Sequence, residues 1–284
     1  MKTDPLISAA DLAKIAERDD VIVVDCRHQL VDPDSGNRAW QQGHISGAIH
    51  ANLDRDLSDL DKPGLGRHPL PDAPDFMRWL ASIGWTPTKH IVAYDDAGGA
   101  LAASRLWWML RLIGHGKAQV LDGGLAAWIR AGGQLDTSVR DIVASEPQEC
   151  TWATDQLVDA QSLKRTLADQ STLLIDARAE PRYRGEVEPI DKVPGHVPGA
   201  LNRPFSANLG DEGLFKSSSQ LREEWLAIIN GRDVTSVVHM CGSGITACHN
   251  LLAMEHAGLS GSRMYAPSWS GWISDPSRPV AKGN

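Results

Sequence analysis

The chain repeats itself, and the repeat limits the folds open to it more than any other feature. The apolar run Val21-Ile22-Val23-Val24 ends in Asp25 and is followed by Gly43-His44-Ile45-Ser46-Gly47-Ala48. In the second half, Leu173-Leu174-Ile175 ends in Asp176 and is followed by Gly195-His196-Val197-Pro198-Gly199-Ala200, at offsets of 151 and 152 residues. Further on, Ile91-Val92-Ala93-Tyr94 leads through Asp95 into an apolar helical pattern that stops at Gly114, and a short strand then precedes Trp128. The second copy has Val237-Val238-His239-Met240, Cys241, a helical pattern stopping at Gly258, a strand at Met264-Tyr265, and Trp272. Gly114 and Gly258, like Trp128 and Trp272, are 144 residues apart, so the copies differ in loop length only.

Short apolar strands alternate with helical patterns of 10–15 residues, the pattern of βα units around a parallel sheet. The predicted fold class is therefore α/β, with two tandem domains, each a mainly parallel sheet flanked by helices. Residues 132–154 are polar, include Pro147 and read as the linker. A boundary at 145 gives domains 1–145 and 146–284.

Composition closes off other classes. With 284 residues, 42% hydrophobic and 23% charged, the chain can bury two cores and is neither disordered nor fibrous. A net charge of −8 offers no basic footprint for nucleic acid or anionic membrane. The first twenty residues hold no apolar secretory core, and Ile91 to Ile113 is interrupted by Asp95, Asp96, Arg105 and Arg111, so a cytoplasmic protein with no membrane span is expected. Four cysteines (26, 150, 241 and 248), none in a C-x-x-C, are too few for a disulfide framework.

The copies differ most where a strand meets a helix. After Val237 to Met240 the chain turns through Cys241-Gly242-Ser243-Gly244-Ile245-Thr246-Ala247. A glycine-bearing turn there aims backbone N–H groups inward, and the helix N-terminus adds partial positive charge, a cradle that favours a thiolate. A cysteine at a strand end is commonly a small buried apolar side chain; the coincidence of turn, glycines and helix start makes Cys241 the candidate nucleophile. The first copy has Asp95 at this place, in a turn two residues longer with a different glycine pattern, and so lacks the nucleophile.

Other residues favour structural readings. His44 and His196 occur in both copies, although only one has the thiol, and are expected to cap loop carbonyls. The spacing of Cys241, Cys248, His239 and His249 fits no common zinc pattern. Cys248 and tryptophans 107, 108, 128, 269 and 272 read as core or packing residues.

The repeat, Gly-His-Ile/Val-x-Gly-Ala in both halves and Cys-Gly-Ser-Gly-Ile-Thr-Ala in the second, resemble a tandem rhodanese-fold sulfurtransferase over nearly the whole chain. The Cys241 loop is similar to that of the members acting on 3-mercaptopyruvate, whereas thiosulfate-specific members typically carry basic residues just after the Cys. The resemblance implies sulfur transfer from 3-mercaptopyruvate through a Cys241 persulfide to a thiol such as thioredoxin, or to cyanide, with release of pyruvate and no cofactor or metal. It implies that the backbone of Gly242, Gly244, Ile245, Thr246 and Ala247 cradles the sulfur. It places a substrate-carboxylate Arg at Arg182, in Arg182-Tyr183-Arg184-Gly185. A second Arg common in these enzymes is replaced by Ile190, leaving Arg184 or Lys192 to compensate. A Ser-His-Asp relay assembled across the domains corresponds to Ser243, His68 and Asp56, with Asp54 and Asp59 as alternatives to Asp56. The turn that commonly reads Asp-Gly-Ser-Trp here reads Ala266-Pro267-Ser268-Trp269. Rival readings are a thiosulfate:cyanide sulfurtransferase and a catalytically silent binding module. A Cys-loop phosphatase needs Cys-x5-Arg, and position 247 is Ala.

Overall fold

The computed structural model describes residues 4–283, which divide into two compact units. The first comprises the chain up to Asp59, Leu70–Ala153 and Asp211–Phe215. The second comprises Leu60–Pro69, Thr154–Gly210 and the chain from Lys216 onward.

The first unit contains strands β1 (Leu6–Ile7), β2 (Val21–Asp25), β3 (His44–Ile45), β4 (Ile49–His50), β5 (His90–Tyr94), β6 (Ala118–Leu121) and β7 (Leu135–Asp136). Its helices are α1 (Ala9–Ile15), α2 (Ser35–Gln42), α3 (Leu53–Asp56), α4 (Ala73–Ser82), α5 (Ala102–Leu112) and α6 (Gly124–Arg130). The sheet order is β1-β6-β5-β2-β4, with every pair parallel, while β3 and β7 form a separate antiparallel pair. All five residues of β2 are buried, as expected of a strand covered on both faces.

In the second unit, α7 (Ala160–Ala168), β8 (Leu173–Asp176), α8 (Glu180–Arg184), β9 (Leu201–Asn202), α9 (Ser218–Ile229), β10 (Val237–Met240), α10 (Ala247–His256), β11 (Arg263–Met264) and α11 (Ser268–Trp272) follow in order. Its sheet, β11-β10-β8-β9, is again parallel throughout. Strand β10 is an inner strand with four buried residues, so the turn after Met240 emerges at the carboxyl end of the sheet, where open α/β folds bind ligands.

One device recurs in both units. Arg27 reaches back to the fully buried Asp25 (Nη2 to Oδ2, 2.6 Å) and donates to the Gly43 carbonyl at 2.7 Å. Arg178 does the same with Asp176 and the Gly195 carbonyl, each at 2.7 Å. The following histidines bind carbonyls as anticipated: His44 Nδ1 lies 2.7 Å from Trp40 O, and His196 Nδ1 lies 2.8 Å from Tyr183 O. Each Gly-His loop is thus pinned to the sheet by a buried ion pair whose loss of one partner would cost about 3–5 kcal/mol.

Candidate functional site

Cys241 leaves β10 and enters a turn in which it is almost fully buried. Its Sγ accepts the Gly244 N–H at 3.2 Å. Gly244 has φ +82°, and a Cβ there would stand 2.4 Å from Ala266 O, so only glycine brings this N–H onto the sulfur. Thr246 precedes α10, which starts at Ala247, without a side-chain capping bond, while Ile245 O accepts the Cys248 N–H at 3.0 Å. The turn is further tied down by Trp269 N–H to Cys241 O and Ser270 N–H to Gly242 O, both 2.9 Å.

Ser243 Oγ and His68 Nδ1 share a hydrogen bond of 2.8 Å, and both residues are buried. His68 reaches this position because Leu60–Pro69 belongs to the second compact unit. There Arg67 N–H donates to Ser270 Oγ at 3.0 Å and Ser274 Oγ donates to Gly64 O at 3.2 Å. The Ser-His contact expected across two domains is therefore internal to one unit, despite 175 residues of separation. Asp56 lies in the other unit at the end of α3, where its carboxylate accepts the Asn52 N–H at 2.7 Å and Arg55 Nε at 3.0 Å. Those bonds close the short helix on itself.

Arg182 sits in α8 and donates to Glu188 Oε1 at 2.8 Å and to Asp191 Oδ2 at 3.1 Å. The guanidinium also flanks the Cys241 turn, since a Cβ on Gly242 would lie 3.5 Å from its Nη2 and 3.6 Å from its Nη1. Arg184, proposed as compensation for Ile190, instead pairs with Glu180 at 2.5 Å on the helix surface. The second guanidinium beside Gly242 belongs to Arg67, whose Nη2 stands 3.0 Å from that Cβ position. Arg67 was missed because it lies in a loop of the first half, although it directly precedes His68. Burial raises the Asp191 pKa from its ordinary value, against the lowering effect of Arg67 and Arg182. Burial also acts upward on Glu188, but Arg182 and the Asp191 and Ile190 N–H groups outweigh it and hold that carboxyl low.

A second missed residue is Ser268. Its Oγ accepts the Cys241 N–H at 3.1 Å while donating to Tyr265 O at 3.2 Å, and it holds φ +54°. The turn departs from its common form at Ala266 and Pro267 but keeps the serine, whose hydroxyl supports the backbone of Cys241.

The remaining thiols are placed differently. Cys248 is fully buried on α10 with Sγ 3.5 Å from Gly244 O, and burial pushes the Cys26 thiol far up. His239 and His249 are fully buried and pushed down to about 3 by desolvation; they face Met254 Sδ and Asn208 Nδ2, each at 3.2 Å. In the first unit, the Asp95 carboxylate accepts the N–H groups of Ala97, Gly99, Leu101 and Ala103 at 2.9, 2.8, 3.0 and 3.3 Å. It fills its turn with a negative group of its own.

Two parallel α/β units, one with a thiol under an amide donor at a strand-to-helix turn and one with a carboxylate filling that turn, define a tandem α/β protein with a single thiol-bearing turn. The chain belongs to the rhodanese family: the rhodanese-like domain matches residues 8–131 and 159–275. A probable 3-mercaptopyruvate sulfurtransferase of Pseudomonas aeruginosa is 45% identical over 286 residues, covering 100% of both chains. A Mycobacterium tuberculosis protein provisionally assigned as a thiosulfate sulfurtransferase is 38% identical, covering 98% of this chain and 97% of its own. Among solved structures, a 3-mercaptopyruvate sulfotransferase from Escherichia coli superposes with a TM-score of 0.77 at 30% identity, over 94% of this chain and all of the other.

Proposed function

We infer that the chain is a sulfurtransferase that takes sulfur from 3-mercaptopyruvate by double displacement on Cys241. The observation that carries the reading is the Gly244 N–H on Cys241 Sγ at 3.2 Å, next to the Ser243–His68 hydrogen bond of 2.8 Å. The names and full-length identity of the relatives support it, as does the burial of Cys26 and Cys248.

In the first half-reaction the Cys241 thiolate attacks the donor sulfur, an S–S bond forms and the C–S bond breaks with its electron pair going to the pyruvate enolate. The donor's thiol proton passes to Ser243 and His68 and returns to the enolate carbon, giving pyruvate and a Cys241 persulfide anion. Arg182 holds the donor carboxylate. The Gly244 N–H and the N-terminus of α10 stabilise the charge on sulfur, within the turn from Gly242 to Ala247. An acceptor thiolate, thioredoxin being a suitable one, then attacks the outer sulfur, becoming a persulfide and restoring the Cys241 thiolate. Asp56 is the proposed carboxylate of the relay. Four free thiols are consistent with the reducing cytoplasm as the place of action.

Intact mass after incubation with 3-mercaptopyruvate is expected to rise by one sulfur, which maps to Cys241 and is removed by cyanide. Cys241→Ser should show no gain and Cys248→Ala should retain most activity. Sulfur mapped to Cys26, Cys150 or Cys248 overturns the reading. The ratio of kcat/KM for 3-mercaptopyruvate and thiosulfate, with cyanide as common acceptor, decides the donor.

A further inference from the structure

Two guanidinium groups, those of Arg67 and Arg182, flank Gly242, and both are paired with carboxylates. Arg67 Nη1 and Arg182 Nη2 hold the two oxygens of Asp191, one each. Asp191 is nearly buried, with its side chain 4% exposed, and it bridges two guanidinium groups as a bound carboxylate would. Glu188 is committed elsewhere, since its Oε1 accepts the Ile190 and Asp191 N–H groups at 3.1 and 3.0 Å in addition to Arg182. Arg178, itself paired with Asp176, also reaches Glu188 Oε2 at 3.4 Å. Three cations and three carboxylates thus leave this cluster without net charge, and an incoming carboxylate gains little from it unless one internal acid lets go.

Arg67 is the side chain suited to change partner. It is 29% exposed, against 19% for Arg182. Its Nη2 faces the turn beside Cys241, and its Nε is buried with no hydrogen-bond partner among the described residues. A guanidinium with one edge on a removable acid, a second edge against Gly242 and a buried N–H to spare has unused donor capacity next to the Cys241 turn.

We propose that Arg67 is the second carboxylate-binding residue for the sulfur donor, and that Asp191 is an internal competitor occupying the two arginines until the donor displaces it. This rests on Cys241 being the reacting thiol, and it assigns to Arg67 the contact that Ile190 cannot make. Donors with a carboxylate near the sulfur are selected because only they recover the interactions that Asp191 gives up.

The test uses the full chain. Arg67→Met should lower kcat/KM for 3-mercaptopyruvate by about 10- to 100-fold, the range expected for losing a charge-assisted hydrogen bond, with most of the change in KM. Turnover of mercaptoacetone, which keeps the keto group and thiol but lacks the carboxylate, should change by no more than about threefold. Equal losses for both donors would show that Arg67 only fastens its loop. In a Cys241→Ser background, where no sulfur chemistry occurs, Asp191→Asn should tighten calorimetric binding of pyruvate severalfold, a gain that misfolding cannot produce. Adding Arg67→Met should abolish that gain. Unchanged or weaker pyruvate binding in Asp191→Asn overturns the competitor role. If sulfur maps to another thiol while the pyruvate results hold, the nucleophile is wrong and the anion site stands.

Discussion

Ser268 holds the Cys241 N–H from a backbone conformation that glycine adopts at the matching place in the first unit: φ is +54° at Ser268 and +57° at Gly124. A non-glycine residue here carries strain, which the hydroxyl offsets by satisfying a buried N–H donor. Ser268→Gly is therefore expected to leave thermal stability within about 1 kcal/mol of the parent, because relief of strain balances the lost bond. The rate of persulfide formation should fall, since the nucleophile's backbone loses its anchor. A stopped-flow burst combined with a melting curve checks this; a large loss of stability at unchanged rate would make Ser268 purely structural.

Ser243→Ala should depress turnover of 3-mercaptopyruvate more than that of thiosulfate, whose cleavage requires no enolate protonation. His68→Gln should show the same asymmetry. Asp56→Asn should follow if it orients His68. The bonds from Asn52 and Arg55 set up the contrary outcome, in which Asp56→Asn loosens α3 and leaves the donor ratio unchanged, and Asp54→Asn would be the next variant to assay.

Arg182→Ala should cost roughly 1.5–3 kcal/mol in kcat/KM for a carboxylate donor, about 10- to 150-fold. It should also lower stability, because Glu188 and Asp191 lose their shared cation while nearly buried. Arg182→Lys should recover part of the activity only, as an ammonium lacks the planar fork. Wild-type kinetics in Arg182→Ala would remove it from the donor site.

Burial pushes the Asp95 carboxyl up to about 6, outweighing its four backbone donors. The folded value lies above the unfolded one, so the folded state binds the proton more readily in the window between about 4 and 6. Asp95's contribution to stability is complete below that window and lost as pH rises through 6, amounting to on the order of 3 kcal/mol. Carbon-13 titration of the carboxyl should show a midpoint near 6. A midpoint at or below 4 would mean that the amide donors win over desolvation.

The repeat and the parallel sheets were readable because β2 and β8, and β5 and β10, are near-continuous apolar runs that only a doubly covered strand needs. The strand-to-helix turn that holds Cys241 was readable because glycines, strand end and helix start are contiguous in the chain. Arg67 and Ser268 were not, since each acts across distance: Arg67 meets Asp191 124 residues away, and Ser268 returns to Cys241 across 27. Irregular loops carry no periodicity to reveal such contacts. The resemblance drew attention to Ile190 and Arg184, whereas the second guanidinium beside Gly242 comes from a different loop, from a residue with no place in that motif.

Asp95 gives the first unit a permanent occupant. A carboxylate one methylene from the backbone stands before four amide donors at an effective concentration far above that of any free anion, so its turn is saturated as soon as it folds. Duplication has therefore not doubled the cargo: the chain has two docks of similar architecture, one of them moored from within, and it is expected to carry a single exchangeable sulfur at a time.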